Sequence, residues 1–137
     1  MGSTSSLEAN IDSNDKKRIL ILEDDNDTLY LFGDALRVYG FEVDMFSDPD
    51  YALNSFLSTP SNYDLLLMDL RLGEKDGRIL YKKFKEFDSA FKICVLTGLE
   101  VNIKEFQEIC PSFEEKFLIK KPIKISKLVK TIMSILE

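Results

Sequence analysis

The feature that most constrains this chain is a pair of segments that are apolar at every position, Ile19-Leu20-Ile21-Leu22 and Leu65-Leu66-Leu67-Met68. A strand with one face in water alternates apolar and polar side chains, so unbroken runs need cover on both faces. That is the situation of a central strand in a parallel sheet. With their flanks these runs predict strands over Arg18–Glu23 and Tyr63–Asp69, and similar segments at Phe41–Phe46, Phe91–Leu96 and Lys116–Ile119 predict three more.

Helical patterns lie between the strands. Leu29, Phe32, Leu36 and Tyr39 recur at helical spacing, and Gly40 marks a stop. Asp48 followed by Pro49 reads as an N-cap and first helical position, leading into Ala52, Leu53, Phe56 and Leu57, with Thr59-Pro60-Ser61-Asn62 closing that helix. Further helices are predicted over Gly77–Phe87 and Val101–Cys110, and a last one lined by Ile125, Leu128, Val129, Ile132, Met133 and Leu136. Strands joined by single helices run parallel, and right-handed crossovers place helices on both sheet faces. The prediction is an α/β fold, (βα)5, with a doubly wound open parallel five-stranded sheet.

A length of 137 residues fits one domain. Residues Met1 to Asp15 are rich in Ser, Asn and Asp and lack an apolar period, so a flexible lead-in (1–15) is expected before a folded domain (16–137). The net charge of −6 and the lack of a concentrated Lys/Arg stripe argue against direct nucleic-acid binding. From Lys116 to Leu136, however, every charged side chain is basic: Lys116, Lys120, Lys121, Lys124, Lys127 and Lys130. That run suits either an ordinary solvated helix face or an acidic partner. Cys94 sits in an apolar run and Cys110 precedes a proline, which fits neither a disulfide framework nor a metal knuckle and favours a reducing compartment. No stretch approaches the roughly 20 apolar residues of a membrane span, and the N-terminus has no signal-type apolar core. No membrane insertion and a cytoplasmic location are expected.

The chain has no histidine, which removes Ser-His-Asp, Cys-His and His-based zinc chemistry. In an open parallel sheet, ligands bind outside the C-terminal ends of the strands. There the sequence places Glu23-Asp24-Asp25, Asp69, Thr97 and Lys121-Pro122. Asp24, Asp25 and Asp69 at one sheet edge would repel each other unless a cation neutralised them, and Mg²⁺ prefers such oxygen ligands. Asp69 is then the candidate nucleophile toward phosphorus, with Thr97 and Lys121 as donors to phosphoryl oxygens. Simpler roles exist for each. Asp24 to Asp27 can form a turn and helix cap, Asp69 can cap the loop from Leu70 to Gly77, Thr97-Gly98 can be a strand-exit turn, and Lys121 can be a surface lysine.

In order and spacing, four segments together resemble the CheY-like receiver domain of response regulators, from Lys17 to Leu136. They are Ile19 to Asp25, Leu67 to Gly77, Val95-Leu96-Thr97-Gly98 and Lys120-Lys121-Pro122. The resemblance implies a flavodoxin-like sheet of strand order 2-1-3-4-5. It also implies Mg²⁺ held by Asp24, Asp25, Asp69 and the backbone carbonyl of Arg71. Asp69 would be phosphorylated by a histidine kinase or phosphotransfer protein, with Thr97 and Lys121 on the phosphoryl group and a cis peptide before Pro122. Such a protein signals through a downstream partner, with dimerisation on activation as a further route, and is not a turnover enzyme on a metabolite.

Some positions depart from the family pattern. Gly73 stands where proline is usual, and Leu118, preceded by Phe117, stands where an aromatic switch residue is usual. Arg71 and Leu99 are expected to control water access to the acyl phosphate. Arg71 also replaces the second acid of haloacid-dehalogenase-like phosphatases, and no Gly-rich phosphate loop follows the first strand. The alternative to a phosphorylation switch is a receiver-like interaction module that works without phosphate. Because the last predicted helix runs to the final residue, a stand-alone receiver is expected, with Lys104, Lys124 and Lys127 as candidate output contacts.

Overall fold

The computed structural model describes residues 16–59, 62–98 and 101–137. The expected lead-in, Pro60 and Ser61 of the helix-closing turn, and Leu99 fall outside the described residues. In chain order the main elements are β1 (Arg18–Leu22), α1 (Asn26–Val38), β2 (Glu42–Phe46), α2 (Pro49–Ser58), β3 (Leu65–Asp69), α3 (Gly77–Phe87), β4 (Lys92–Thr97), α4 (Ile103–Ile109), β5 (Leu118–Lys120) and α5 (Ile125–Ile135). The sheet order is β2-β1-β3-β4-β5 with every pairing parallel, as expected.

The unbroken apolar runs have the double cover they require. Successive side chains of a strand point to opposite faces, so Leu20, Leu22, Leu66, Met68, Ile93 and Val95 pack with Ala52 and Phe56 of α2, Tyr81 and Phe84 of α3 and Phe106 of α4. Ile19, Ile21, Leu65, Leu67, Cys94 and Leu96 pack with Leu29, Phe32 and Leu36 of α1 and Leu128, Val129 and Ile132 of α5. The first layer is built on aromatic contacts: Phe56 meets Phe84 edge-on at 5.1 Å and stacks on Phe91 at 4.7 Å between centroids.

Side chains at the helix starts set the boundaries. Asp25, Asp48, Asp76 and Asn102 each accept a backbone N–H in the first turn of α1, α2, α3 and α4. Gly40, at φ +97°, turns the chain out of α1 into β2. Capped by Asn102, α4 starts at Ile103, two residues later than the predicted Val101, and a 3-10 turn at Glu115–Phe117 delays β5 to Leu118. The loop after β3 also contains a two-residue antiparallel hairpin, Arg71–Leu72 with Lys75–Asp76, closed through Gly73 at φ +62°. Both cysteines are free and buried. Among the described residues, no helix is long and apolar enough to cross a membrane.

Candidate functional site

The register brings the strand ends level: Leu22 lies opposite Met68, Asp69 opposite Leu96 and Thr97 opposite Lys120. Asp69, the last residue of β3, is 7% exposed, and Thr97, the last of β4, is 2% exposed. Lys121 leaves β5 with its N–H donating to the Thr97 carbonyl at 2.8 Å, and its bond to Pro122 is cis. The Lys121 Nζ reaches across the sheet mouth and donates to Asp69 Oδ2 at 2.5 Å and to Glu23 Oε1 at 3.1 Å. The N–H of Arg71 donates to the other Asp69 oxygen at 2.9 Å. Asp69, Thr97 and Lys121 therefore converge where the sequence placed them.

The acidic side of the site is shifted by one residue from the sequence expectation. Oxygens of Glu23, Asp24 and Asp69 lie within 4.8 Å of one another. Asp25, expected as a metal ligand with Asp24, stands outside this group. It caps α1, its Oδ2 accepting the Thr28 N–H at 3.0 Å and the Thr28 hydroxyl at 2.5 Å. Glu23 takes its place, 1% exposed and continuing the sheet through its N–H to the Phe46 carbonyl. The helix signal was in the sequence, because an aspartate three residues before a threonine at a helix start offers its carboxylate to the first-turn donors. Asp24 Oδ2 accepts the Gly73 N–H at 2.9 Å, which ties the acidic turn to the hairpin.

This chain matches the response regulator receiver domain family over residues 19–133. It belongs to that family. Over 82 residues it is 37% identical to the response regulator receiver protein CpdR of Brucella abortus, a match covering 60% of this chain and 67% of CpdR. It is 30% identical over 88 residues to the transcriptional regulatory protein RprY of Bacteroides fragilis, covering 64% of this chain but only 36% of RprY, so it spans about a third of that relative. A CheY-like receiver domain structure from Methanospirillum hungatei shares the fold at a TM-score of 0.77 and 24% identity, covering 88% of this chain and 94% of that one. Receivers are modules of two-component signalling rather than metabolite-turnover enzymes.

Within this receiver the charges at the sheet mouth are unevenly satisfied. Burial, reinforced by the neighbouring Asp69 and only partly opposed by Lys121, pushes the Glu23 carboxyl up to about 8. Burial also works upward on Asp69, but hydrogen bonds from the Glu23 carboxyl, Lys121 and the Arg71 N–H outweigh it and hold Asp69 below the usual carboxylate range. Burial pulls Lys121 down, yet Asp69 and Glu23 hold it above the usual lysine range. Asp69 and Lys121 are therefore held as a carboxylate and an ammonium, while the Glu23 carboxyl beside them takes up a proton more readily than an ordinary carboxyl. Glu23 Oε2 is buried with no hydrogen-bond partner among the described residues.

The departures from the family pattern also have structural consequences. Gly73 occupies a left-handed conformation and donates its N–H to Asp24; a proline, with φ near −65° and no N–H, could do neither. Leu118 is partly buried against the aromatic layer, and Phe117 packs against both layers with Lys116 Nζ 5.3 Å from its ring. Arg71, two residues after Asp69, is exposed, and so are Lys104, Lys124 and Lys127.

Proposed function

We propose that this receiver is a phosphorylation switch in which Asp69 accepts a phosphoryl group from a histidine kinase or phosphotransfer protein. The observation that carries the reading is the Asp69 carboxylate fixed between the Arg71 N–H and Lys121 Nζ, with Thr97 at the end of the next strand. An oxygen of Asp69 attacks phosphorus, and the P–N bond of the donor phosphohistidine breaks with its electron pair returning to the imidazole nitrogen. Lys121, a compact ammonium already within reach of Asp69, then pairs with the phosphoryl oxygens, and the Thr97 hydroxyl donates to them. Water attack on phosphorus later frees Asp69 as a carboxylate. Arg71 controls its approach, in company with Leu99.

The residues present fit a hard divalent cation. The donors are all oxygen, three carboxyl groups crowd one sheet edge, and one buried carboxyl oxygen has no partner among the described residues. Asp24 and Asp69, with Glu23 behind them and the Arg71 carbonyl, would hold Mg²⁺, and Asp25 is left to its cap. When bound, the ion neutralises charge on the carboxylates and on the transferring phosphoryl group. Moving Lys121 and Thr97 onto a phosphoryl group changes the ends of β4 and β5, and thereby the affinity for a downstream protein or a second copy. The buried free thiols of Cys94 and Cys110 support a cytoplasmic setting.

The test is intact mass after incubation with acetyl phosphate and Mg²⁺. Wild type gains one phosphoryl group, and Asp69→Asn gains none. Absence of a gain in wild type, from this donor and from a histidine kinase alike, while Mg²⁺ still binds, would replace the switch with a phosphate-independent interaction module.

A further inference from the structure

A cleft of ≈ 350 Å³ lies between the hairpin that follows β3 and the start of α4. That volume falls at the lower end of the range of small-ligand pockets, about 300–1,000 Å³, so it suits a small molecule rather than a protein surface. Its apolar part is Leu70, Val101 and Phe106. Its charged part divides in two. Arg78 forks onto Asp76 at 3.1 and 2.9 Å, and Lys75 reaches Asp50 at 3.4 Å, so these two cations have partners. Arg71 and Glu74 on the hairpin and Glu105 on α4 also line the cleft; they are exposed and have no ion-pair partner among the described residues. The two walls are close enough to interact. Arg78 is held above the usual arginine range by its hydrogen bonds to Asp76 first, and also by the charge of Glu105 across the cleft. The hairpin wall is tied to the sheet mouth as well, through the Gly73 N–H on Asp24 and the Arg71 N–H on Asp69, each at 2.9 Å. Phosphoryl transfer to Asp69 has no use for the side chains of Glu74 and Glu105.

We infer that this cleft binds a small zwitterion of the apolar amino-acid class. Its carboxylate sits on the Arg71 guanidinium, its ammonium between Glu74 and Glu105, and its side chain against Leu70, Val101 and Phe106. The residues select this class. A plain carboxylate would meet two carboxylates without an answering cation, and a plain amine would leave the guanidinium unmatched. A zwitterion with an apolar body satisfies all three groups at once. Because the three charges are exposed, their attraction is modest and screened by salt. The binding does not depend on the switch reading, but its regulation rests on it. The ligand holds the hairpin whose backbone holds Asp69 and Asp24, so occupancy of the cleft and occupancy of the sheet mouth are coupled, and the coupling runs equally in both directions.

The experiment titrates the ¹⁵N-labelled full chain with leucine and follows the amide chemical shifts. Saturable shifts are expected at Gly73, Glu74, Val101 and Glu105, with a Kd of about 1 mM. Isopentylamine and isocaproate, which keep the side chain but only one of the two charges, should bind about fivefold or more weakly. Arg71→Gln should weaken leucine and leave isopentylamine unchanged, whereas Glu74→Gln/Glu105→Gln should weaken leucine and leave isocaproate unchanged. A merely structural disturbance would weaken all three ligands alike. No saturable shift, a uniform loss across the ligands in both variants, or an amine that binds as tightly as leucine overturns the inference. The titration is then repeated with beryllofluoride and Mg²⁺ present. A leucine affinity changed by about fivefold or more supports the coupling. Bound beryllofluoride with an unchanged leucine affinity overturns it. Leucine binding without any binding of beryllofluoride would remove the switch reading and leave the amino-acid site standing.

Discussion

The two ends of the sheet each carry a charged network, and they are built to opposite standards. At the N-terminal end, Arg18 reaches Glu42 at 2.6 Å and Asp44 at 3.2 Å, and its backbone N–H donates to Asp64 at 2.8 Å. The Tyr63 hydroxyl lies 2.6 Å from Asp44 and 2.7 Å from Ser55. Every carboxylate there meets a donor, and the forked guanidinium suits two acceptors at once. At the C-terminal end one ammonium serves two buried carboxyl groups, a third stands nearby, and a buried oxygen has no partner among the described residues. The first network only has to hold β1, β2 and the start of β3 together. The second leaves a buried carboxyl oxygen without a partner among the described residues and crowds three carboxyls together, at a cost in stability that fits the proposed site.

Three substitutions would break or sharpen that contrast. The largest effect is expected from Glu23→Gln. With its carboxyl raised from 4.5 to about 8, Glu23 is neutral in the folded chain and ionised in the unfolded chain between those values. Folding then takes up a proton, and this contribution to stability is present at low pH and falls away as pH rises through that window. Glu23→Gln should flatten this dependence, raise the metal-free melting temperature near pH 8 and weaken Mg²⁺ binding. Urea unfolding across pH with a Mg²⁺ titration checks it, and an unchanged pH slope would mean that the crowding of carboxylates is relieved some other way. Arg18→Ala should act in the opposite sense, lowering stability by about 1–2 kcal/mol, discounted for its partial exposure, while phosphoryl uptake at Asp69 stays intact. Loss of uptake in a folded Arg18→Ala protein would show the two ends to be coupled. The smallest change, about 1 kcal/mol or less in urea unfolding, is expected for Tyr63→Phe, which removes one hydroxyl shared by Asp44 and Ser55.

Much of the site was legible before any geometry. Asp69, Thr97 and Lys121 follow or end apolar strands, and parallel topology sends those ends to one edge. The sequence grouped Asp24 and Asp25 with Asp69, whereas the oxygens that gather are those of Glu23, Asp24 and Asp69. Three consecutive acids look alike in a sequence. Their division is decided where the strand stops and the helix starts, with Glu23 still pairing through its backbone to β2 and Asp25 already capping α1. The Arg18 network was not legible at all, since Glu42, Asp44 and Tyr63 lie 24, 26 and 45 residues away along the chain and meet Arg18 and one another only when the strands align.

By itself the sequence determined the alternation of strands and helices, the double burial of the central strands and the choice of oxygen chemistry over histidine or thiol chemistry. These follow from periodicity and residue type, which are local. Only the tertiary structure decided which acid faces Asp69, that Gly73 holds Asp24, and that Lys120, Lys124, Lys127 and Lys130 have no ion-pair partner among the described residues. Each of those depends on side chains from different strands sharing a few ångströms of space, and backbone register sets that distance where local pattern cannot.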